Sequence, residues 1–305
     1  MGKTPRRNLC GVLLLDKPFG LSSNAALIKT KILYQALKAG HTGTLDPFAT
    51  GLLPICFGEA TKFAGYMLDA TKAYDARMRL GYTSNTGDAE GELVFQQQFC
   101  GSQAEIESTL EKFRGRISQI PPMYSALKHQ GRPLYQMARQ GIEIERLPRD
   151  LIIHELTLHE MQENELRIRV VCSKGTYIRV LAQDIGKALG CGAYLSALRR
   201  TATGNFNLAD SHGLDELGAM TAEQRDQLLL PADSLLQDLP AVVLPEDQAR
   251  LLGRGTELVN PTAWGQFHEK SIKTRIYGEN GHFYGLALAD SEGKIVAERM
   301  MALTA

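Results

Sequence analysis

Apolar and polar positions along the chain follow two spacings, which predict its strands and helices. The unbroken apolar run at 11–15 predicts a buried strand. Alternation with a period of two predicts half-buried strands over 72–82 and 165–172, and a further strand lies at 151–159. Three short alternating stretches, joined by Gly-Glu-Asn-Gly and Asp-Ser-Glu-Gly turns, predict a small C-terminal β-barrel at about 271–277, 283–289 and 294–301.

Helical spacing and capping residues predict the helices between these strands. Ser22, Ser23 and Asn24 offer an N-cap for a helix that ends at about residue 37. The other predicted helices cover 59–68, 103–115, the stretch from the Gly-Thr turn at 175–176 to about 189, and the acidic segment 213–238. Together the elements indicate an α+β fold.

Charge is unevenly distributed along a chain whose formal net charge is zero. Residues 1–80 hold eleven Lys or Arg against five Asp or Glu, whereas residues 205–260 hold three against ten. Residues 112–150 hold eight against three, with Tyr124 and Tyr135 among the cations. Basic residues interleaved with aromatic ones suit a phosphate backbone and unstacked bases, although a solvated loop would have the same composition.

Cysteine usage and hydropathy exclude several classes of protein. The five cysteines are scattered without a Cys-x-x-Cys pair, which argues for a reducing compartment and against a zinc site. His154 and His159 lack metal-type partners nearby and are interpreted as structural. No apolar run approaches the roughly 18 residues of a membrane span, and the N-terminal run is too short for a signal peptide. A cytoplasmic protein without metal or cofactor is expected.

A glycine- and proline-rich stretch at 40–62 stands apart from these periodic elements. Its four glycines and two prolines interrupt any regular period and predict a loop with at most short pieces of strand. The stretch contains Asp46 beside Pro47, with His41 before it and Lys62 at its end. An isolated Asp-Pro is most simply a turn in which the carboxylate bonds local amides.

The whole stretch, however, resembles the active-site motif of the TruB family of tRNA pseudouridine synthases. That motif reads Gly-His-x-Gly-x-Leu-Asp-Pro-x-Ala-x-Gly-x-Leu-Pro, and every fixed position is present here. Further similarity lies in the Leu-Asp-Lys-Pro-x-Gly-x-Ser-Ser string around Lys17 and the Lys-x-Tyr string at Tyr74. Ser-x-Gly-Thr-Tyr-x-Arg, ending at Arg179, and the string beginning at Leu198 extend the resemblance over residues 10–206.

The resemblance implies roles for particular residues. Asp46 would be the catalytic nucleophile, Arg179 its ion-pair partner, and Tyr74 a ring packed on the flipped base. Arg179 falls in the first turn of its predicted helix, where the dipole disfavours a cation, so a carboxylate partner is expected. The resemblance also indicates residues that bind the substrate, namely His41, Lys17, Lys62, Asp88, Tyr177, Leu198, Lys128, Arg132 and Arg139.

Several of these residues have an equally plausible structural interpretation. Lys17 could be an exposed turn lysine, and Tyr74 could pack on a sheet face. Asp88 could belong to a β-turn, and Leu198 could lie in the core. Pairing with Arg179 should keep Asp46 ionised, because a nearby cation favours the charged form of an acid.

The resemblance also implies the architecture and the reaction. A pseudouridine-synthase fold is expected, with a central mixed or antiparallel sheet flanked by helices over residues 1–240. An RNA-gripping insertion should lie at about 119–150, and residues 241–305 should form a small RNA-binding β-barrel of the PUA type. The implied reaction converts uridine 55 in the T-loop of tRNA to pseudouridine, in a monomer that needs no cofactor, protein partner or membrane.

Two other functions are compatible with parts of the sequence. A tRNA-binding or tRNA-folding chaperone would use the same basic and aromatic residues, and differs in not requiring Asp46. A carboxylate-nucleophile hydrolase is disfavoured because there is no Gly-x-x-x-x-Gly-Lys-Ser/Thr loop and no second carboxylate at short spacing.

Overall fold

The computed structural model describes residues 5–259 and 271–302, which form one large mixed sheet, one five-stranded sheet, two two-stranded sheets and several helices. The C-terminal prediction for 241–305 includes residues 260–270 and 303–305, which lie outside the described residues. The strands are β1 Gly11–Lys17, β2 Ala39–His41, β3 Thr50–Phe57, β4 Lys72–Leu80, β5 Tyr82–Ser84, β6 Leu93–Phe95, β7 Gly115–Gln119, β8 Lys128–His129, β9 Arg132–Pro133, β10 Arg149–Gln162, β11 Glu165–Cys172, β12 Ala193–Thr203, β13 Phe206–Asn207, β14 His212–Gly213, β15 Ala241–Leu244, β16 Leu258–Val259, β17 Ile272–Gly278, β18 Phe283–Ala289 and β19 Lys294–Met300.

The helices are shorter than the sequence pattern predicts. The α-helices are α1 Ser23–Leu33, α2 Gln103–Glu111, α3 Leu134–Ala138, α4 Ile178–Ala188, α5 Leu214–Ala219, α6 Ala222–Gln227 and α7 Glu246–Gly253. The 3-10 helices are Gly58–Lys62, Ala64–Leu68, Leu208–Asp210 and Ala232–Leu236. The single helix predicted over 59–68 was therefore wrong, since that segment forms two 3-10 helices. The segment predicted to be helical at 213–238 contains two short α-helices and a 3-10 helix. The first predicted helix ends early because Gln35 takes a left-handed conformation, with φ of 52°.

The large sheet confirms the predicted α+β class and the mixed central sheet. Its strand order is β14-β1-β3-β12-β4-β11-β10-β7, with β2 paired to β3 and β13 paired to β12. Pairing of β1 with β14 and of β3 with β12 is parallel, and the other pairs are antiparallel.

Both faces of the sheet around β1 and β3 are buried, which explains their unbroken apolar runs. Leu13 and Leu15 face one core, to which helices α1, α2, α4 and α5 contribute. Val12 and Leu14 face a second core, which the 3-10 segments and Leu286 of the C-terminal sheet complete. The two sheets therefore share apolar packing.

Strand β3 contradicts the prediction that residues 40–62 form a loop with at most short strands. Seven of its eight residues are buried, and burial between two cores outweighs the local preference of its glycine and proline. Gly51 has φ of 103°, and a Cβ there would lie 2.3 Å from the Arg200 carbonyl oxygen, so only glycine fits this approach of β3 to β12. Pro54 cannot donate a ladder hydrogen bond, but its carbonyl accepts one from the amide of Thr42 at 3.2 Å.

The C-terminal strands form a five-stranded curled sheet in the order β15-β17-β18-β19-β16. Aromatic and polar contacts join it to the segment that follows β3 and to the 3-10 helix Ala232–Leu236. The rings of Phe63 and Phe283 meet edge to face with centroids 5.4 Å apart, and the hydroxyl of Tyr277 donates to Asp233 at 2.6 Å. This sheet is consistent with the small RNA-binding β-domain that the sequence predicts.

Candidate active site

Asp46 lies in the loop between β2 and β3, where two cavities meet. The cavities have volumes of about 500 and 550 Å³, and Asp46 lines both. The Asp-Pro turn is present, since the Ala49 amide donates to the Asp46 carbonyl at 3.1 Å. The Asp46 carboxylate faces the guanidinium of Arg179 instead of the local backbone, with Oδ2 and Nε 3.0 Å apart.

Arg179 is a buried clamp at the start of α4. Its Nε lies 3.0 Å from Asp46 and 3.5 Å from Asp88, and its terminal nitrogens donate to the carbonyls of Thr86 at 2.7 Å and Tyr124 at 2.6 Å. The expected carboxylate partner is confirmed, and there are two. Because a planar guanidinium fixes the geometry of the groups it bonds, this clamp orients the Asp46 oxygens.

Asp88 is placed by the fold as a partner of Arg179. It is buried, and its Oδ1 accepts from the Thr86 hydroxyl at 2.6 Å and from the Glu90 amide at 3.1 Å. These contacts hold Asp88 beside Arg179. They also confirm the turn interpretation, because the amides of Glu90 and Gly91 bond the Asp88 carboxylate and carbonyl, while substrate binding by Asp88 stays a prediction. The sequence has no second carboxylate at short spacing from Asp46. The fold nevertheless brings Asp88, which lies 42 positions further along the chain, next to the same arginine.

Partial burial shifts the ionisation of Asp46, whose side chain is 37% exposed. Loss of solvent raises the pKa of the Asp46 carboxyl above its ordinary value, and the Asp88 charge raises it further, whereas Arg179 opposes both. Arg179 does favour the ionised form of Asp46, as the sequence predicts. Its effect on the pKa is smaller than the opposing effect of burial. A nucleophilic carboxylate at this position therefore titrates at a higher pH than an exposed aspartate.

We expect this shift to be visible in the pH dependence of the reaction. The acid limb of kcat/KM on an RNA substrate should lie above about 3.9, the ordinary aspartate pKa, because Asp46 reacts only when ionised. Asp88→Asn removes a nearby negative charge and should move the limb to lower pH. The acid limb should persist in the His41→Gln variant, which shows that the limb does not come from titration of the His41 imidazole. An acid limb at or below 3.9, or one that His41→Gln removes, would contradict the assignment.

Aromatic and apolar side chains line part of the second cavity and suit contact with a flat ring. Tyr74 on β4 and Leu198 on β12 both line it, as does Tyr177 at the N-cap of α4. Tyr74 and Leu198 are mostly buried, with 9% and 8% of their surface exposed. The fold therefore brings the residues predicted to contact the target base to one cavity, next to Asp46 and Arg179.

Two buried cations in this cavity, Arg200 and Lys72, were missed by the sequence analysis. Arg200 pairs directly across the sheet with Tyr74 and is 1% exposed. Its guanidinium donates to the carbonyls of Leu52 at 2.7 Å and Gly43 at 3.3 Å, so it fixes the loop that carries Asp46. The alternation of β12 could have indicated this residue, since positions 198 and 200 face the same side.

Lys72 is held in a similar way at the end of β4. Its Nζ donates to the carbonyls of Leu68 and Ala70, both at 2.6 Å. Burial lowers the pKa of Lys72 to about 8. Neither Lys72 nor Arg200 has a carboxylate partner within salt-bridge distance among the described residues. The cavity therefore presents uncompensated positive charge.

The first cavity extends from Asp46 toward the basic insertion. It is lined by His41, by Asn24 at the start of α1, and by Arg139 and Tyr135 from the insertion. The Arg139 guanidinium lies 5.7 Å from the Tyr135 ring centroid. Burial lowers the pKa of His41, so its ring is neutral near pH 7. Lys128 and Arg132 are exposed on the β8–β9 hairpin and line neither cavity.

Lys17 and Lys62 line neither of the two cavities beside Asp46. Lys17 is fully buried, and its Nζ donates to the carbonyls of Pro18 at 2.9 Å and Leu21 at 2.7 Å, so its interpretation as an exposed turn lysine was wrong. Burial lowers the pKa of Lys17 to about 8. Lys62 pairs with Glu59 at 2.5 Å and donates to the Met300 carbonyl at 3.0 Å. Lys17 therefore supports the turn before α1, and Lys62 joins the two sheets.

Within residues 5–259 and 271–302, no three or more His, Cys, Asp and Glu side chains are grouped so as to hold a metal ion. In the same residues no helix combines the length and the apolar character needed to cross a membrane.

Comparison with known proteins identifies the family. Family models match residues 31–178 (TruB family pseudouridylate synthase, N terminal domain), 179–237 (tRNA pseudouridylate synthase B C-terminal domain) and 240–301 (Pseudouridine synthase II TruB, C-terminal). The tRNA pseudouridine synthase B of Nitrosospira multiformis is 50% identical over 307 residues, covering 99% of this chain and 98% of that protein. The protein of the same name from Thiobacillus denitrificans is 51% identical over 300 residues, covering 98% of each.

A solved structure gives the same result for the fold. The crystal structure of the archaeal box H/ACA sRNP Nop10–Cbf5 complex matches with a TM-score of 0.72 and 24% identity, covering 96% of this chain and 86% of that chain. The mixed sheet and these matches define the chain as a pseudouridine synthase by class, which confirms the predicted fold. Within that class, it belongs to the TruB family.

Proposed function

We propose that the protein isomerises uridine 55 in the T-loop of tRNA to pseudouridine, with Asp46 as the catalytic carboxylate. The observation that carries the proposal is the position of Asp46. It is bonded by Arg179 at the boundary between the cavity lined by Tyr74 and Leu198 and the cavity that leads to the basic insertion. The names of the relatives at 50% and 51% identity supply the tRNA substrate.

In this proposal the target nucleotide leaves the base stack of the RNA and occupies both cavities. The base enters the cavity of Tyr74, Tyr177 and Leu198, while the ribose and phosphates lie toward His41 and Arg139. The glycosidic junction then lies beside Asp46. Aromatic rings supply stacking surface for a base, and the neutral His41 ring can occupy the space that the flipped nucleotide leaves in the RNA loop.

The chemical step requires the bond between C1′ and N1 to break with its electron pair moving to the base. The carboxylate of Asp46 attacks either C1′ or C6, or stabilises the positive character that develops at the sugar. The base turns within its cavity and C5 bonds to C1′. Any bond from Asp46 to C1′ or C6 breaks and returns its electron pair to the carboxylate, and the C5 hydrogen leaves as a proton. Arg200 and Lys72 lower the energy of negative charge on the detached base, because their own charges are uncompensated.

The basic insertion and the hairpin within it are proposed to bind the T-stem phosphates. Affinity for a T-arm RNA should fall steeply with salt despite the zero net charge, with a slope of roughly 0.7–0.9 per phosphate neutralised. Neutralising Lys128, Arg132 and Arg139 together should lower the slope by about two to three and weaken binding of any T-arm. Fluorescence titration at several salt concentrations measures both effects.

The control for this prediction uses arginines on other surfaces. Arg77, Arg167 and Arg250 are exposed and ion-paired with Glu165, Asp75 and Glu246. Neutralising these three should leave the slope unchanged. A slope that responds equally to both triple variants would show that the insertion is not the phosphate-binding surface.

The remaining assignments concern organisation and location. We propose a catalytic unit at 1–240, with the RNA-gripping insertion at about 119–150, and an RNA-binding unit at 241–305. The enzyme is proposed to act as a monomer in the cytoplasm, where its five free cysteines remain reduced.

The proposed position of the product can be tested directly. An unmodified tRNA transcript is incubated with the protein, and pseudouridine is mapped by carbodiimide labelling and primer extension. A single modification at position 55 is expected, and a transcript with cytidine at that position should remain unmodified. Modification at other uridines, with none at 55, would reject the proposed specificity.

A further inference from the structure

The hydroxyl of Ser125 is buried between the two cavities and makes no hydrogen bond to any of the residues that the structure describes. Ser125 is 4% exposed and lines both cavities, as do Asp46 and Arg179. Buried polar groups in folded proteins are nearly always hydrogen-bonded. A hydroxyl that faces a cavity without a partner is therefore explained if a ligand supplies one.

The backbone around Ser125 fixes the position of this hydroxyl. The Ser125 amide donates to Met123 at 2.9 Å, and its carbonyl accepts from the Tyr135 amide at 3.1 Å. The preceding carbonyl, that of Tyr124, accepts from Arg179 at 2.6 Å. The same guanidinium that clamps Asp46 therefore also holds the segment that carries Ser125.

The location at the boundary restricts which substrate atoms the hydroxyl can face. If Asp46 lies beside the glycosidic junction, a second group on that boundary faces atoms attached to the junction. The 2′-hydroxyl is carried by the carbon next to C1′, and it both donates and accepts hydrogen bonds, as a serine hydroxyl does. In the proposed arrangement the base oxygens lie in the second cavity, which Arg200 and Lys72 line.

We infer that Ser125 hydrogen-bonds the ribose 2′-hydroxyl of the target nucleotide, and so positions the sugar beside Asp46. This role rests on the proposed function, because it requires a flipped nucleotide in these cavities. It makes Ser125 a residue that distinguishes RNA from DNA at the target position.

One structural alternative is a contact between Ser125 and Tyr177. The Tyr177 hydroxyl is a neighbour of the Ser125 side chain, although the serine oxygen has no partner within hydrogen-bond geometry. A serine that served only to hold Tyr177 would affect every bound RNA equally, whatever the sugar at the target position.

A double-mutant cycle between protein and RNA separates these cases. Dissociation constants are measured for T-arm RNAs with uridine or 2′-deoxyuridine at the target, using proteins that all carry Asp46→Asn so that turnover does not interfere. Adding Ser125→Ala should weaken binding of the uridine RNA by about two- to tenfold, the range for one net hydrogen bond. The same change should leave affinity for the 2′-deoxyuridine RNA unchanged within error.

Two control variants test whether the change in affinity is specific to Ser125. Ser118→Ala, at an exposed serine of β7 outside both cavities, should change neither affinity. Tyr177→Phe, which removes the neighbouring hydroxyl, should leave the Ser125 effect intact. Equal weakening of both RNAs by Ser125→Ala, or none, would overturn the inference. Failure of the proposed function is seen separately, as absence of pseudouridine formation by the unsubstituted enzyme.

Discussion

Replacing Asp46 by asparagine should abolish pseudouridine formation while the RNA still binds. The amide keeps the shape of the side chain but has neither the charge nor the nucleophilicity of a carboxylate. Single-turnover rates should fall by at least about a thousandfold, in the range seen when a catalytic nucleophile is removed. Affinity for a T-arm RNA should stay within about threefold, because the stacking residues and the basic insertion are untouched.

A matched aspartate provides the control for that substitution. Asp16 pairs with Arg199 at 2.6 Å and lines neither of the two cavities beside Asp46. Asp16→Asn should keep turnover within a few-fold of the unsubstituted enzyme. Residual turnover of Asp46→Asn within tenfold would reject the nucleophile assignment and revive the view that RNA binding, not catalysis, is the main role.

Replacing Arg179 by methionine should damage both activity and stability. Asp88 is buried with 4% of its side chain exposed, and it would lose its cationic partner. Breaking a buried ion pair costs about 3–5 kcal/mol, and we expect about 3 because Asp46, 37% exposed, can be hydrated. Turnover should fall by about a hundredfold or more, since the Asp46 oxygens lose their orientation. Urea unfolding and single-turnover assays measure the two effects.

A second substitution distinguishes the two consequences. Arg179→Met combined with Asp88→Asn removes the orphaned charge and should recover part of the stability but none of the activity. Arg199→Met breaks an ion pair whose side chains are 42% and 30% exposed, so it should cost less than about 1 kcal/mol. Two results would contradict the role given to Arg179. One is recovery of activity in the double variant, and the other is an equal loss of stability in Arg179→Met and Arg199→Met.

The sequence was informative where function restricts several residues in one short string. The strings around Asp46, Tyr74 and Arg179 that resemble the TruB motifs predicted residues that the fold brings to one site. Alternation located β4 and β11 within two residues of their observed ends, because each strand has one face in the core. These signals are local in the chain, so they can be recognised without the fold.

What could not be predicted depends on contacts between distant segments. The burial of β3 between two cores overrides its Gly51 and Pro54. Arg200 and Lys17 look like ordinary surface cations until the fold surrounds them with backbone carbonyls. The pairing of Asp88 with Arg179 joins positions far apart in sequence, and the open hydroxyl of Ser125 is visible only once both cavities exist.

The most direct test of the account is release of tritium from a T-arm RNA with 5-tritiated uridine at the target position. Formation of the new bond at C5 expels that hydrogen, so the unsubstituted enzyme should release one tritium per RNA. The Asp46→Asn enzyme should release none while still binding the RNA. Binding without release by the unsubstituted enzyme, or release that does not depend on Asp46, would contradict the central claim.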